Sequence, residues 1–373
     1  MKIAHIVSTF PPYQGGMGNV CQNQAKYLSK LGHQVTVFTP KACLQEQKFK
    51  PQKLNTFLSI GNASLSFPPV FSLNKFDVLH LHFPFIGFGE QLLFLKKIGF
   101  ITPPLVLQYH MDLISSGLKG LFFRFYNFTS FLFLLAADKI LVSSKDYLTH
   151  SKIKKYFLKK EEKFEILPLG VDENRFYPPL KKFQSGQNIL FVGSLDKAHY
   201  FKGVDILIKA FQKVCFSLPK ARLIIVGKGN LRPFFINLSK KLKIKDRIEF
   251  ADNVGDEDLP SYYQKADVFV LPSTSSSEAF GLSSLEAMAS GLPIIVSNLP
   301  GPRSLVKNNG FLCKPGDVND LALKIIRILS DRKTREKFGL CSRQLVLKYY
   351  SWKKIIYRLS EIYEEIVSNY SSK

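Results

Sequence analysis

Cysteine is scarce in this chain and never falls in a metal-binding spacing. The five residues Cys21, Cys43, Cys215, Cys313 and Cys341 include no CxxC pair among 373 positions. That excludes a zinc ribbon and a disulfide framework, and leaves reduced, mostly buried thiols of a cytosolic setting. Long apolar runs are missing as well. Ile3 to Val7 is followed at once by Ser8, Thr9 and the break Phe10-Pro11-Pro12. The run is too short for the core of a signal peptide and fits a buried first strand. The Phe-rich stretch Leu121–Ala137 holds Arg124, Asn127, Thr129 and Ser130 and is no longer than a minimal span. It is expected to be a buried or interfacial helix and not a transmembrane one. Acids are the third shortage: 29 Asp and Glu stand against 52 Lys and Arg, a net charge of +23.

Several signatures of chemistry are also absent. There is no Walker A sequence, no Gly-x-Ser-x-Gly elbow and no RNP-like motif. The loop Gln14-Gly-Gly-Met-Gly18 lacks the G-x-G-x-x-G spacing of a dinucleotide site. In Leu223-Ile-Ile-Val-Gly-Lys-Gly229 the third glycine position is Arg232. No D-x-D lies between apolar strands, so no metal motif is present. The acidic run Asp256-Glu257-Asp258 reads as the cap or start of a helix toward Lys265.

What is present is a long alternation of short apolar runs and helical patterns. At 46% hydrophobic residues the chain can fill two cores. Strands are expected at Lys2–Val7, Gln34–Phe38, Val78–His82, Leu105–Tyr109 and Lys139–Val142. A second series is expected at Asn188–Val192, Arg222–Val226, Arg247–Phe250, Val268–Leu271 and Pro293–Val296. Helices fall between them, near Asn19–Leu31, Gly120–Ala137 and Val204–Phe211, so the class is parallel α/β. The turn-prone segment from Leu167 through Phe176, Pro178 and Pro179 reads as an interdomain linker.

The stretch Ser277–Ser297 is the most specific. It reads SEAFGLSSLEAMASGLPIIVS, with seven residues between Glu278 and Glu286. Glu278 falls in a polar loop after the apolar run 267–271. Glu286 falls in a helix that starts near Leu282 or Ser283 and is ended by Gly291 and Pro293. The free amides at such a helix start attract an anion, and carboxylates accept bonds from sugar hydroxyls. The pair therefore has the composition needed to hold a nucleotide sugar. A solvated loop acid and a helix-face acid would carry the same letters.

This stretch resembles the E-x7-E signature of the family-4 retaining glycosyltransferases, and similar elements recur along nearly the whole chain. The resemblance implies the GT-B fold: two Rossmann-like, doubly wound domains facing a central cleft. Residues 1–178 would form the acceptor-side domain, completed by a last helix at about 355–373. Residues 179–354 would form the nucleotide-sugar domain. Gly15 and Gly16 match a double glycine that lies beside donor or acceptor. His110, within Tyr-His-Met-Asp112, matches a histidine close to the transferred sugar, with Asp112 orienting the loop. His80 and His82 sit on another strand end and match nothing that fixes a role. Lys202 matches the cation on the departing diphosphate, where a fixed ammonium stabilises the developing charge. Gly227 matches a Gly-x-Gly near base and diphosphate, and the region from Ala251 to Val254 with Leu259, Tyr262 and Tyr263 matches the base region. Glu286 would bind ribose hydroxyls and Glu278 those of the sugar. The amides of Phe280, Gly281 and Leu282 would contact the diphosphate. Two departures stand out. Leu169 replaces an Asn in the linker, and Ser194 stands where many members carry Arg, with Lys197 and His199 in a longer loop able to supply the charge.

The resemblance further implies front-face substitution, with the leaving phosphate taking the acceptor's proton, domain closure around the substrates, and no cofactor or metal. A saccharide or lipid-linked acceptor in surface polysaccharide or glycolipid synthesis follows. The basic clusters Lys152–Lys160 and Lys240–Lys245 admit three readings: solvated faces, nucleic acid, or an anionic lipid surface. With the Phe-rich helix they favour a peripheral position at the inner, cytoplasmic face of the membrane, and no nucleic acid. The competing readings are a non-catalytic relic of the same fold, a basic nucleic-acid-binding protein, and an epimerase. The epimerase lacks an acid cluster in the first half. The donor sugar and base, acceptor, linkage and oligomeric state are not encoded legibly.

Overall fold

Apolar runs of four to six residues, buried on both faces, can only be central strands of a parallel sheet, and the chain builds two such sheets. The computed structural model describes residues 1–11, 15–40, 49–60, 63–114, 117–179, 187–252 and 254–371, so Gln14, Cys43 and Asn253 lie outside the described residues. The first series comprises β1 (Lys2–Ile6), β2 (Gln34–Thr39), β3 (Lys50–Lys53), β4 (Leu58–Ile60), β5 (Ala63–Leu65), β6 (Val78–Phe83), β7 (Leu105–Tyr109), β8 (Lys139–Val142) and β9 (Phe164–Ile166). Seven of these form a parallel sheet in the order β3-β2-β1-β6-β7-β8-β9, and β4 with β5 forms a small antiparallel pair. The second series is β10 (Asn188–Val192), β11 (Arg222–Val226), β12 (Ile248–Ala251), β13 (Val268–Leu271), β14 (Ile294–Ser297) and β15 (Gly310–Cys313). Its parallel order is β12-β11-β10-β13-β14-β15, the order of a doubly wound Rossmann sheet.

Two units contain these sheets: Met1–Leu169 with Trp352–Lys373, and Gly170–Ser351. The boundary after Leu169 falls inside the segment read as a linker, ahead of the expected break at 178/179, and Gly170 to Pro179 go with the second unit. Their anchors explain why. Val171 bridges Ser351, and the Arg343 guanidinium donates to the carbonyls of Glu173, Phe176 and Ala289 at 3.0, 3.0 and 2.8 Å. In the first unit the last helix, Trp352–Ser371, packs on helix Gly16–Lys30 through the stacked rings of Tyr27 and Trp352.

Helix Gly16–Lys30 starts three residues before the expected Asn19. Gly15 is its extended N-cap, and a side chain at Gly18 would meet the Thr9 carbonyl at 2.7 Å. Strands β3, β9 and β15, which the sequence pattern did not reveal, are all sheet edges. Lys50-Pro51-Gln52-Lys53 has no apolar alternation at all and is tolerated only there. The turn Asp256–Asp258 does precede helix Leu259–Lys265, but Asp258 makes no side-chain capping bond. Cys21 and Cys313 are buried, while Cys215 and Cys341 are half-buried.

One feature of the first sheet breaks the apolar rule. His5, His80 and His82 are wholly buried on β1 and β6. Burial in apolar surroundings disfavours the imidazolium, holding His5 down at about 3 and His80 and His82 well below the ordinary value. These rings are neutral in the folded chain and take up protons only on unfolding. Their contribution to stability is therefore complete above pH 6.5 and is lost as pH falls below it. His5 alone costs roughly 2 kcal/mol at pH 5. Denaturant unfolding at pH 7 and pH 5 should show a marked loss; equal stability would mean the rings are charged or solvated in the fold.

Candidate active site

In an open parallel sheet, ligands collect beyond the carboxyl ends of the two strands where the order reverses, because neighbouring loops part there. In the second unit those strands are β10 and β13. Lys202 lies at the end of the 3-10 turn Lys197–Lys202 after β10, and Glu278 lies in the loop after β13. Their side chains meet: Lys202 Nζ is 2.7 Å from Glu278 Oε2, with both mostly shielded from solvent. Gly203 makes this possible. It has φ +71°, and a Cβ there would stand 2.2 Å from the Pro272 carbonyl, so only glycine lets the two loops close on each other. Thr274 N donates to the Phe201 carbonyl at 2.7 Å and locks the same seam.

Gly281, at φ +89°, turns the chain into helix Leu282–Ala289, whose start carries no side-chain cap. The first amides of a helix have no acceptor within it, so this uncapped end has the chemistry to receive an anion. Phe280 is buried beneath it. Glu286 sits one turn into the helix and receives the Tyr263 hydroxyl at 2.6 Å. Burial raises its carboxyl to about 7, with Tyr263 and Arg175 working against the shift. Tyr263 was expected in the base region. Its ring is wholly buried against Phe176 and Phe269, and its hydroxyl is the group that bonds Glu286. No sequence pattern distinguished that role from the neighbouring half-buried Tyr262.

Ser194 brings no charge to this region: its Oγ donates to Asp196 Oδ2 at 3.0 Å and closes a turn. Lys197 is exposed, with its amide on Asn230 Oδ1. His199 lies nearer the ion pair. Burial lowers its pKa first and the charge of Lys202 second, while Asp196 and Glu278 pull it back up. Gly227 has a packing reason to be glycine, since a Cβ would stand 1.9 Å from the Gly193 carbonyl.

In the first unit the order reverses between β1 and β6. Gly15 is the N-cap of the first helix and Gly16 its first residue. His110 follows β7, with its amide on the Phe83 carbonyl at 2.9 Å, and is partly exposed. Asp112 is the hub of the His110 loop. It accepts from Tyr109 Oη at 2.6 Å and from the Lys152 amide at 3.1 Å, and its own amide donates to Tyr147 Oη at 2.7 Å. His80 and His82 do not reach solvent. They extend inward from His110 in a bonded row, with His82 Nδ1 2.9 Å from His110 Nε2.

Comparison with known proteins agrees with this architecture. The family model "Glycosyltransferase Family 4" matches residues 14–175, and "Glycosyl transferases group 1" matches residues 173–344. An uncharacterized glycosyltransferase of Methanocaldococcus jannaschii is 27% identical over 98% of each chain. The sulfoquinovosyl transferase of Arabidopsis thaliana is 28% identical over 93% of this chain and 70% of its own. Among solved structures, an Anabaena protein in complex with UDP and glucose shares the fold with a TM-score of 0.75 at 19% identity, covering 98% of this chain and 100% of that one. With two doubly wound sheets and family matches running without a gap from residue 14 to 344, the chain belongs to the family-4 glycosyltransferases of the GT-B fold and is a nucleotide-sugar-dependent hexosyltransferase.

Proposed function

We propose that the second unit binds the nucleotide-diphosphate sugar and that transfer proceeds with retention of anomeric configuration, onto a saccharide or lipid-linked acceptor of surface polysaccharide or glycolipid synthesis. The observation that carries this reading is the convergence of Lys202, Glu278 and the uncapped helix start at Leu282 around one strand switch. Lys202 stabilises the leaving diphosphate, and the amides of Phe280, Gly281 and Leu282 share that task. Glu278 holds hydroxyls of the transferred sugar, and Glu286, steadied by Tyr263, holds the ribose. His110 contacts the sugar. The Lys202–Glu278 pair keeps both side chains extended before the donor arrives, so little ordering remains to be done on binding. No metal is assigned a role, because the fixed ammonium and helix amides supply the positive field. Binding of UDP and glucose by the Anabaena neighbour makes UDP-sugars the first donors to test.

The acceptor side is read as meeting an anionic membrane surface at the cytoplasmic face. No helix among the described residues is long and apolar enough to cross a membrane. Helix Gly117–Leu134 nevertheless exposes Leu121, Phe122, Phe125 and Phe128, each more than half exposed. Beside it lies a cavity of about 390 Å³ lined by Leu113, Ile114, Leu121, Phe123, Arg124 and Lys152. Apolar walls with two cations suit a lipid-linked anionic head group.

Two outcomes follow. Glu278→Ala and Lys202→Ala should each lower turnover about a hundredfold or more, read as nucleoside-diphosphate release from a panel of UDP-, GDP- and ADP-sugars over a membrane extract. Unchanged turnover in either would reduce that residue to a loop charge. The protein should also co-sediment with vesicles containing anionic lipid at low salt and leave them at high salt. Absence of binding at low salt removes the membrane surface from the account.

A further inference from the structure

The buried histidine row has an order that its own hydrogen bonds dictate. A neutral imidazole carries one N–H and one bare nitrogen, so each contact along a row fixes the next. The row is anchored at Gln108, whose Oε1 accepts from Gln24 Nε2 at 2.9 Å and lies 3.1 Å from His80 Nε2. A carbonyl oxygen only accepts, so His80 holds its proton at Nε2. His80 Nδ1 is then bare and receives the hydroxyl proton of Tyr363, on the last helix. Having donated, the Tyr363 oxygen accepts from His5 Nε2, 3.5 Å away. His5 Nδ1 is therefore bare and accepts from His82 Nε2 at 2.9 Å, and His82 Nδ1 in turn accepts from His110 Nε2 at 2.9 Å. The last ring in the row is left with its proton at Nε2.

We propose that this row fixes His110 as a hydrogen-bond acceptor, presenting a bare Nδ1 to a hydroxyl of the transferred sugar, with Gln108, Tyr363, His5 and His82 as its positioning residues. The proposal rests on the reading of His110 as a sugar contact and adds its polarity. An acceptor-only imidazole takes a hydroxyl and turns away a carboxylate at the same place, so the site favours neutral hexoses over uronic acids at that contact. The neutrality it needs is supported by burial, which holds His5, in the middle of the row, and His110, at its end, at about 3. The alternative use of the cluster, as a metal seat, fits poorly. The ring nitrogens of His5, His80 and His82 lie within 4.8 Å of one another, but His80 stacks on both neighbours with centroids 4.6 Å apart and planes 21° and 15° from parallel. Nitrogen lone pairs lie in the ring plane, so stacked rings cannot aim them at one ion, and these nitrogens are already engaged: His5 Nδ1 with His82 Nε2, and the two nitrogens of His80 with Tyr363 and Gln108.

The test is a long-range proton–nitrogen correlation spectrum of the full chain labelled with 15N-histidine, recorded without any donor. His110 signals are identified by their loss in His110→Asn. The expected pattern is a protonated Nε2 and a bare Nδ1 at His110. The reversed pattern, or a doubly protonated ring, overturns the proposal. Tyr363→Phe removes the acceptor at the head of the row, and the His110 pattern should then become mixed or reversed; an unchanged pattern in a folded variant overturns the coupling. If that variant does not fold, the wild-type spectrum still decides. Because no sugar or turnover enters the measurement, failure of His110 as a sugar contact would leave this spectrum as it is, and the two failures are told apart.

Discussion

The loops after β10 and β13 must part at the strand switch, yet the residues they carry meet across it. Gly203 permits this, and most of the second unit's site depends on that permission. Its φ of +71° and the closeness of the Pro272 carbonyl leave no room for a side chain. The consequence is a lysine and a glutamate 2.7 Å apart, drawn from strands that are neighbours in the sheet but separated by 76 positions in the chain. A shielded pair of this kind is weak evidence for stability, since desolvation offsets much of the attraction. Its value is positional: two long, flexible side chains are held together at the strand switch, and in the proposed reading they offer a cation and a hydroxyl acceptor to a diphosphate sugar.

A second constraint runs through the first unit. A parallel sheet normally buries aliphatic residues on both faces, and β1 and β6 place histidines there instead. Buried polar groups are tolerated only when they are bonded, and a partly satisfied network costs more than an apolar core. Here His5 and His82 each make a bond at either end, and His80 bonds both Gln108 and Tyr363. The row ties the sheet to the last helix and ends at the partly exposed His110, which joins a core feature to a surface contact. The same burial makes the unit sensitive to acid.

Much of this was legible in the residues. Runs such as Asn188–Val192, Arg222–Val226 and Val268–Leu271 are bounded by turns and buried on both faces, so their limits could be read to the residue. The helix start read near Leu282 or Ser283 falls at Leu282. Edge strands were not legible, since β3 owes its pairing to the neighbouring β2 and not to its own letters. The unit boundary was legible as a segment, Leu167–Pro179, but not to the residue, because the Arg343 guanidinium that ties Glu173 and Phe176 to the second unit lies far away in sequence. The pairing of Lys202 with Glu278, the support of Glu286 by Tyr263 and the histidine row are all long-range contacts. His80 and His82 were visible as strand residues, but only the register of β1 against β6 reveals that His80 stacks on His5 and that His82 lies within bonding reach of it.

The central claim is that the second unit holds the donor through Glu286, Lys202 and the helix start at Leu282. The most direct measurement is calorimetric titration of the full chain with UDP-glucose, GDP-mannose and ADP-glucose at pH 8 and pH 6, without added metal. The account predicts saturable binding of one nucleotide class. Because the Glu286 carboxyl stands at about 7, lowering the pH protonates it and removes an acceptor for the ribose, so binding should be weaker at pH 6. Glu286→Gln should bind weakly and lose that pH dependence. No binding of any of the three at millimolar concentration, or equal affinity at both pH values, would contradict the account.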